Sequence, residues 1–233
     1  MKIVVLAGGT STEREISIVT GTQVCKALRE KGHQSILVDI YSGDARIDLE
    51  NAFPETYDAD AAAEYIHSFD EEIQNHFDPD RPFFGPNVLE LCKAADVVFM
   101  GLHGSNGEDG KVQAVFDLMK IPYTGSGHLS SAMAMDKGIS KQMFWQNQVP
   151  TPKGVILTKG EEMKPLEAYG LALPVVVKPC CGGSSVGVSI PKTEEEYQEA
   201  LKVAFSYEDV LVVEEYIKGR EFSIGVVEGK AYP

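Results

Sequence analysis

Residues 174–190 constrain the fold most, because they place a buried strand, a glycine loop and a second extended segment in direct succession. The run 174–177 is short, β-branched and uninterrupted, which favours a buried strand over an amphipathic helix. Gly182 and Gly183 allow the backbone to turn where a Cβ would clash, and the extended pattern then resumes. The sequence therefore predicts a glycine-rich β-hairpin with Lys178 at the end of its first strand.

Such a hairpin can lay backbone N–H groups against phosphate oxygens while Lys178 supplies a positive charge. The Walker spacing GxxxxGK[ST] is absent and no helical pattern follows the glycines, so the loop is not a P-loop. Taken alone, such a glycine hairpin is more often a plain tight turn than a phosphate-binding loop. The chemistry that it suggests is the binding of nucleotide phosphates.

The composition excludes several classes of protein. With 233 residues, of which 43% are hydrophobic, the chain has room for one large or two moderate domains. A formal charge of −14 argues against a partner that is nucleic acid or an anionic membrane, because either needs a basic face. The amino-terminal apolar run is too short for a signal peptide, and no window reaches the length of a membrane span. We expect a cytoplasmic protein.

The four cysteines show no paired CxxC spacing and no small secreted framework, so we expect reduced thiols rather than disulfides. They are Cys25, Cys92, Cys180 and Cys181. Nothing links the adjacent pair Cys180 and Cys181 to a catalytic base, and we interpret both as loop residues.

The first part of the chain alternates apolar runs with helical patterns, which predicts a mostly parallel sheet with helices on both faces. The predicted strands are 2–7, 33–40 and 96–102, and the predicted helices are 16–28, 88–94 and 111–119. Residues 41–86 are strongly acidic and read as a surface insertion with one helix near 59–69. We interpret the negative charge of this segment as serving only its solvation.

Two loops follow predicted strands at the carboxyl edge of this sheet, where ligands of open α/β sheets lie. In GGTSTEREIS, Ser11 and Thr12 are predicted helix N-caps, and the carboxylate of Glu13 is suited to capping the first turn. In HGSNGEDG, a lone His103 is more typical of packing or of a loop hydrogen bond than of a site.

A domain boundary is predicted between residues 128 and 129, before a helix over 129–146 that is weakly interrupted at Gly138. Lys137 and Lys141 of this helix are interpreted as solvated. Further strands are predicted at 154–157, 210–215 and 221–227. A capping box at Thr193 and Glu196 predicts another helix. Its buried face is Tyr197, Ala200, Leu201, Ala204 and Phe205.

Four separated stretches of the sequence form a recognisable set: AGGTSTEREIS at 7–17, GLHGSNGEDG at 101–110 with IPYTGSG at 121–127, MDKGISK at 135–141, and VVKPCCGGSSVGVS at 176–189. Together they resemble the D-alanine:D-alanine ligases of the ATP-grasp superfamily. The sequence EEYIKGREF at 214–222 resembles the adenine-binding hinge of that family. The resemblance implies an α/β fold, in which a Rossmann-like pre-ATP-grasp domain over 1–128 precedes the first half of an ATP-grasp domain over 129–233.

The resemblance also implies an activity. ATP would phosphorylate the carboxylate of a first D-alanine, and the amine of a second D-alanine would attack the acyl phosphate, giving D-alanyl-D-alanine for peptidoglycan. The implied partners are ATP, Mg²⁺ and D-alanine, with a homodimer as a family expectation. Two alternatives stay open: a D-alanine:D-lactate or D-alanine:D-serine ligase, and a nucleotide-binding module without catalysis.

Carried over by position, Glu13 and Ser184 would be catalytic, and Glu13 would hold the ammonium of the first D-alanine. His103 would lie near the same amino acid. Lys137 and Lys178 would reach the nucleotide phosphates. The other residues implied to bind ATP are Gly183, Ser184, Ser185 and Val186 of the loop, with Glu214, Glu215, Tyr216, Ile217 and Glu221 of the hinge.

The family's loop tyrosine, its transition-state arginine and its late magnesium ligands would all fall beyond Pro233. No metal ligand is assigned within the chain. Without bound magnesium the repulsion between ATP and an attacking carboxylate is poorly compensated, so we expect that this polypeptide alone does not ligate.

Overall fold

The computed structural model describes residues 1–75, 78, 80–183 and 185–232. They form two compact units. The first consists of Met1–Ser140 with Cys181–Ser184, and the second of Lys141–Cys180 with Ser185–Pro233. The division falls later along the chain than the predicted boundary between residues 128 and 129, which stays a prediction.

A three-stranded parallel sheet lies in the first unit, within the described residues. Its strands are β1 (Lys2–Ala7), β2 (Gln34–Asp39) and β3 (Val97–Met100), in the order β2-β1-β3. In the register, Ile3 of β1 lies opposite Ser35 and Val97. Every residue of β1 after Lys2 is buried, as expected for a parallel strand that is covered on both faces.

Helices cover both faces of this sheet, as predicted. The helices up to residue 135 are α1 (Arg14–Glu30), α2 (Ala59–His67), α3 (Asp70–Asn75), α4 (Val88–Ala94), α5 (Lys111–Met119) and α6 (His128–Met135), of which α1, α2, α4 and α5 pack on the sheet. Because side chains alternate along a strand, Val5 packs with α1 and α2 while Val4 and Leu6 pack with α4 and α5. The first unit therefore has two apolar layers on either side of one sheet.

Residues 41–86 are more than a solvated insertion. The helix predicted near 59–69 is present as α2, but its Ala59 and Ile66 are buried in the core against the sheet. Asp70 of α3 forms an ion pair with the buried Arg14 at 2.8 Å. The interpretation that the charge of this segment serves only solvation is therefore wrong.

The helix predicted over 129–146 is two helices, α6 and α7 (Lys137–Gln146). The break lies at Asp136 and not at Gly138. The Asp136 Oδ1 atom accepts a hydrogen bond from the Ile139 N–H group at 2.9 Å. A carboxylate that caps the new first turn explains why α7 starts there.

The second unit contains an antiparallel sheet of β4 (Gly154–Thr158), β5 (Val175–Pro179) and β6 (Val210–Glu215), in the order β4-β6-β5. Helix α8 (Glu194–Tyr207) packs on it. The buried face of α8 is the predicted one: Tyr197, Ala200, Leu201, Ala204 and Phe205. Half of the predicted capping box is present: Thr193 Oγ1 accepts from the Glu196 N–H group at 3.3 Å, whereas the Glu196 carboxylate accepts from the Lys192 N–H group and not from that of Thr193.

The predicted glycine hairpin is present, with fewer paired residues than a regular two-stranded hairpin. Val177 and Ser189 exchange two backbone hydrogen bonds of 2.9 Å, so the chain returns antiparallel to β5. Lys178 lies inside β5 rather than at its end. Gly182, at φ +93°, makes the turn that a side chain would disfavour.

The strand predicted over 221–227 is shorter than expected. The structure has β7 (Gly225–Val227) paired antiparallel with β8 (Lys230–Tyr232). Among the described residues, no helix has both the length and the apolar character needed to cross a bilayer.

Candidate functional site

Glu13 lies where β1 has ended and α1 begins. It occupies the N-cap position of α1, yet its side chain makes no capping hydrogen bond. Ser11 and Thr12 precede that position, so the prediction that they cap the helix is wrong. Ser11 Oγ instead accepts from the Glu13 N–H group at 3.2 Å. The capping interpretation of the Glu13 carboxylate is therefore wrong.

Two glycines in the first unit lie against the Glu13 carboxylate. A Cβ on Gly104 would be 2.8 Å from Glu13 Oε2, and one on Gly183 would be 3.2 Å from Oε1. The Ser11 hydroxyl donates to the His103 carbonyl at 2.7 Å, which ties together the loops after β1 and β3. Glu13, the backbone of residues 103–104 and the glycine loop thus lie together in the first unit.

The His103 ring is held by α1. Its Nε2 atom lies 3.2 Å from Thr20 Oγ1. This loop hydrogen bond agrees with the conservative interpretation of His103 from its residue type. It also fixes the ring near the start of α1. This contact is compatible with a packing role for His103 and with a position beside an amino-acid substrate.

A buried arginine next to Glu13 holds the loop in place. The Arg14 guanidinium pairs with the Asp39 carboxylate at the end of β2 and donates to the Gly9 carbonyl at 2.9 Å. Its Nε donates to Asp70 at 2.8 Å. Sequence reasoning missed this network. The only local signal was an aspartate that ends an otherwise apolar strand.

One group of potential metal ligands exists among the described residues, formed by Glu15, His67 and Asp70, whose ligand atoms lie within 4.8 Å of one another. Both Asp70 oxygens are already engaged, one by Arg14 and the other by His67 Nδ1 at 2.8 Å. Partial burial would raise the pKa of Asp70, but these hydrogen bonds outweigh it and the pKa lies below its usual value. We therefore assign this group to structural support.

Lys137 meets the glycine loop within the first unit. Its Nζ donates to the Gly182 carbonyl at 2.7 Å. The two residues also border a cavity of about 690 Å³, whose other walls include Glu108 and Thr124. The interpretation of Lys137 as merely solvated is therefore wrong, and its contact is with the loop expected to bind phosphates.

In the second unit, one carboxylate lies between two lysines. Lys178 Nζ is hydrogen-bonded to Glu214 Oε1, and Lys141 Nζ lies 2.7 Å from Glu214 Oε2. The Lys141 side chain is only 4% exposed, so its interpretation as a solvated helix lysine is wrong. Burial raises the pKa of Glu214, but the hydrogen bonds from Lys141 and Lys178 outweigh it and leave the pKa below its usual value.

The implied adenine hinge follows β6. The Glu215 N–H group donates to the Lys153 carbonyl at 2.8 Å, and Glu215 Oε1 accepts from the Lys153 N–H group at 2.9 Å. Tyr216, Ile217 and Glu221 are exposed. In the glycine loop, Ser185 and Val186 are also exposed, with Ser185 in the left-handed region at φ +58°. Ser184 lies outside the described residues.

The four cysteines differ in burial: three are buried and one is exposed. Burial raises the pKa of Cys25, and it raises that of Cys92 to about 12. Cys180 is buried and Cys181 is exposed. Because the thiolate is the reactive form, Cys25 and Cys92 are inert thiols.

Two family models match the sequence, described as "D-ala D-ala ligase N-terminus" over residues 2–126 and "D-ala D-ala ligase C-terminus" over residues 145–232. The chain belongs to the D-alanine–D-alanine ligase family. Glu13 and His103 fall within the first match, while Lys178 and Glu214 fall within the second. The family suggested by the four motifs is thereby confirmed.

Curated relatives in the D-alanine–D-alanine ligase family match along the whole chain. The enzyme named D-alanine–D-alanine ligase from Pediococcus pentosaceus is 43% identical over 238 residues, covering 100% of this chain and 67% of the relative. The ligase of Lacticaseibacillus casei is 45% identical over 240 residues, covering 100% and 66%. The chain thus spans about two thirds of the length of these relatives.

Solved D-alanine–D-alanine ligase structures share the fold. The Bacillus anthracis ligase matches with a TM-score of 0.73 at 30% identity, covering 100% of this chain and 63% of that one. The same ligase complexed with ATP matches with a TM-score of 0.67 at 29% identity, covering 94% and 60%. The predicted fold class, a parallel-sheet α/β domain joined to part of an ATP-grasp domain, is confirmed.

Proposed function

We propose that this chain carries the ATP-binding and first-substrate-binding parts of an ATP-dependent D-alanine:D-alanine ligase. The observation that carries the proposal is the position of the Glu13 carboxylate, against Gly104 on one side and Gly183 of the glycine loop on the other. An amino-acid anchor next to a phosphate-binding loop is what a carboxylate-activating enzyme requires. Membership of the ligase family supports the same assignment.

The reaction proceeds in two steps. The γ-phosphoryl group of ATP passes to the carboxylate of the first D-alanine, which gives an acyl phosphate and ADP. The amine nitrogen of the second D-alanine attacks the carbonyl carbon, loses a proton and expels phosphate as the peptide bond forms. The product, D-alanyl-D-alanine, is a building block for peptidoglycan, so we place the protein in cell-wall synthesis in the cytoplasm.

In this proposal Glu13 forms an ion pair with the ammonium of the first D-alanine, and His103 lies beside the same amino acid. Lys137 and Lys178 neutralise the charge on the phosphates, which spreads over the γ-phosphoryl oxygens during transfer. Ser184 hydrogen-bonds within this site. Each role uses charge or hydrogen bonding that the residue type supplies.

The glycine loop acts as the cover of the nucleotide. Gly183, Ser185 and Val186 would close over ATP and exclude water, which otherwise hydrolyses an acyl phosphate. The turn at Gly182 and the exposure of Ser185 and Val186 suit a segment that has to close.

The hinge would receive the nucleoside. The Glu215 N–H group is already hydrogen-bonded to the Lys153 carbonyl. We therefore assign the Glu215 carbonyl oxygen to the adenine amino group. The Ile217 N–H group would bond a ring nitrogen, Glu214 and Tyr216 would line the pocket, and Glu221 would bind the ribose hydroxyls. Backbone pairing of this kind tolerates changes of side chain.

Magnesium is the proposed companion of ATP on family grounds. The side chains gathered at Glu214 do not fit this cation, because each Glu214 oxygen is taken by a lysine and Mg²⁺ takes oxygen ligands. The group of Glu15, His67 and Asp70 does not fit either, since both Asp70 oxygens are engaged. The expectation that this polypeptide alone does not ligate stays a prediction.

Calorimetric titration tests the proposal. The chain is titrated with ATP, then with D-alanine, and L-alanine serves as the ligand control. We expect Glu13→Gln to keep ATP binding and to lose the D-alanine signal. The matched variant Glu15→Gln, whose side chain is 69% exposed, should keep both.

Two outcomes separate the alternatives. ATP binding with no D-alanine signal in the unmodified chain favours a nucleotide-binding module without catalysis. No ATP binding at all would overturn the proposal. A D-lactate or D-serine ligase differs in its second substrate, so analysis of the product formed with each candidate substrate decides between them. A homodimer is proposed because the family is expected to form one, and sedimentation velocity measures the oligomeric state of the chain.

A further inference from the structure

Glu214 of β6 is shared by two lysines with different surroundings. Lys178 of β5 has a side chain that is 23% exposed, whereas that of Lys141 on α7 is 4% exposed. All three groups belong to the second unit. Together they carry one net positive charge, because one carboxylate balances only one of the two ammonium groups.

Lys141 is fixed by contacts that use its whole hydrogen-bonding capacity. Its ammonium group bonds to Glu214 Oε2 at 2.7 Å, to the Pro152 carbonyl at 2.6 Å and to Thr151 Oγ1 at 3.3 Å. An ammonium group has three donors, so none is left for a ligand. The group also lies 5.5 Å from the centre of the Trp145 ring. Lys141 is therefore not itself a phosphate ligand.

Lys178 is in the opposite situation. It is the more exposed of the pair, and its Nζ atom is hydrogen-bonded to Glu214 Oε1. A phosphate group that binds Lys178 competes with this carboxylate for the ammonium group. A buried carboxylate without a cation is costly, because removal of one partner from a buried pair leaves an uncompensated charge. The cost disappears if a second cation stays bound to Glu214.

We propose that Lys141 is a positioning residue for Lys178: it holds Glu214 permanently, so that Lys178 is released from the carboxylate to bind the nucleotide phosphates. The inference rests on the proposed nucleotide site and deepens it. Lys141 acts through Glu214 and touches neither substrate. We therefore expect that loss of the Lys141 charge weakens the binding of a nucleotide that carries phosphates and leaves the binding of the nucleoside unchanged.

The test compares the affinities of ADP and adenosine for the full chain by calorimetry. In Lys141→Met, Glu214 keeps Lys178 as its only cation, and we expect ADP to bind about tenfold more weakly while adenosine binding is unchanged. Addition of Glu214→Gln to this variant removes the competing anion and should restore the ADP affinity. Lys202→Met, an exposed lysine on α8, is the matched control and should change neither affinity.

A double-variant cycle adds a second check. Lys178→Met should lose ADP affinity by itself, and Lys141→Met added to it should cost nothing more, because the two lysines act in series. Glu214→Gln by itself, in a chain that keeps Lys141, should raise the affinity for ADP relative to that for adenosine. Thermal unfolding shows whether each variant is folded.

Several results would overturn the inference. Equal losses of ADP and adenosine in Lys141→Met would mean that Lys141 only supports the pocket. Failure of Glu214→Gln to rescue that variant, or a lower ADP preference in Glu214→Gln alone, would contradict the release of Lys178. If the unmodified chain binds neither ligand, the nucleotide site itself is refuted, and that result is distinct from binding without the Lys141 effect.

Discussion

Arg14 is the residue on which the loop around Glu13 depends most. It joins the end of β2 through Asp39, the loop after β1 through Gly9, and α3 through Asp70. A buried guanidinium serves such a junction well, because its planar fork of donors bonds several acceptors at once. The position of the proposed amino-acid anchor is thus set by the buried ion pairs of its neighbour Arg14.

Loss of this charge is expected to destabilise the first unit strongly. Arg14→Met leaves the buried Asp39 carboxylate without its partner, and we expect a loss of about 3–5 kcal/mol in the free energy of unfolding. The matched variant Lys26→Met removes an exposed partner of Asp60 and should cost less than about 1 kcal/mol. Urea unfolding followed by circular dichroism measures both. Equal losses would contradict the prediction.

Glu214 makes the stability of the second unit depend on pH. Since its pKa is lowered in the folded state, its contribution is complete above the ordinary glutamate pKa of about 4.3 and is lost as the pH falls through the folded-state value. We expect the stability advantage over Glu214→Gln to shrink as the pH falls below about 4.3. The exposed Glu199→Gln is the control. Urea unfolding at each pH measures the difference, and a constant advantage would refute the prediction.

At the scale of elements, α8 shows how local signals specify a helix. Thr193 caps its first turn, and Glu196 Oε2 returns a hydrogen bond to the chain by accepting from the Lys192 N–H group at 2.7 Å. The buried face follows the helical period. All of these interactions lie within one stretch of sequence, which is why cap and buried face are both predictable.

The cap of α8 gives a graded prediction. Thr193→Ala removes the acceptor for the Glu196 N–H group and should lower the free energy of unfolding by about 1 kcal/mol. Thr193→Ser keeps the hydroxyl and should lose much less. Urea unfolding followed by Trp145 fluorescence reports the change. A Ser variant as unstable as the Ala variant would show that the methyl group of Thr193 matters more than its hydrogen bond.

Elements that depend on distant residues were harder to predict. The strands β1 and β6 follow from their apolar runs, and their bounds agree with the sequence pattern. The burial of Lys141 depends on Glu214, and that of Arg14 depends on Asp39 and Asp70. A lysine on a helix reads as solvated until its partner is known. The sequence motifs located Glu13 and Lys178, but the ion pairs around them required the fold.

At the scale of the whole molecule, each unit has a hydrophobic core of its own. Phe116 is fully buried in the first unit and Leu211 in the second, and the two residues belong to separate apolar clusters. The chain's one tryptophan, Trp145, lies in the second unit and reports on it.

Separate cores predict separate unfolding. Leu211→Ala should lower the stability seen by Trp145 fluorescence by about 2–5 kcal/mol, because it opens a cavity in the second core. Phe116→Ala should cost about 3–5 kcal/mol in the first unit and leave the fluorescence transition in place. Circular dichroism detects the change in the first unit. A fluorescence transition that moves with Phe116→Ala would show that the two units unfold together.

The middle place of β1 in the sheet affects how such a protein can evolve. The loop that carries Glu13 is hydrogen-bonded on both sides, to the Asp39 carboxylate at the end of β2 and to the His103 carbonyl after β3. A lineage under selection for a different amino acid therefore has to alter neighbouring loops together. New specificity in this unit is expected to arise through coupled substitutions, each of little benefit by itself.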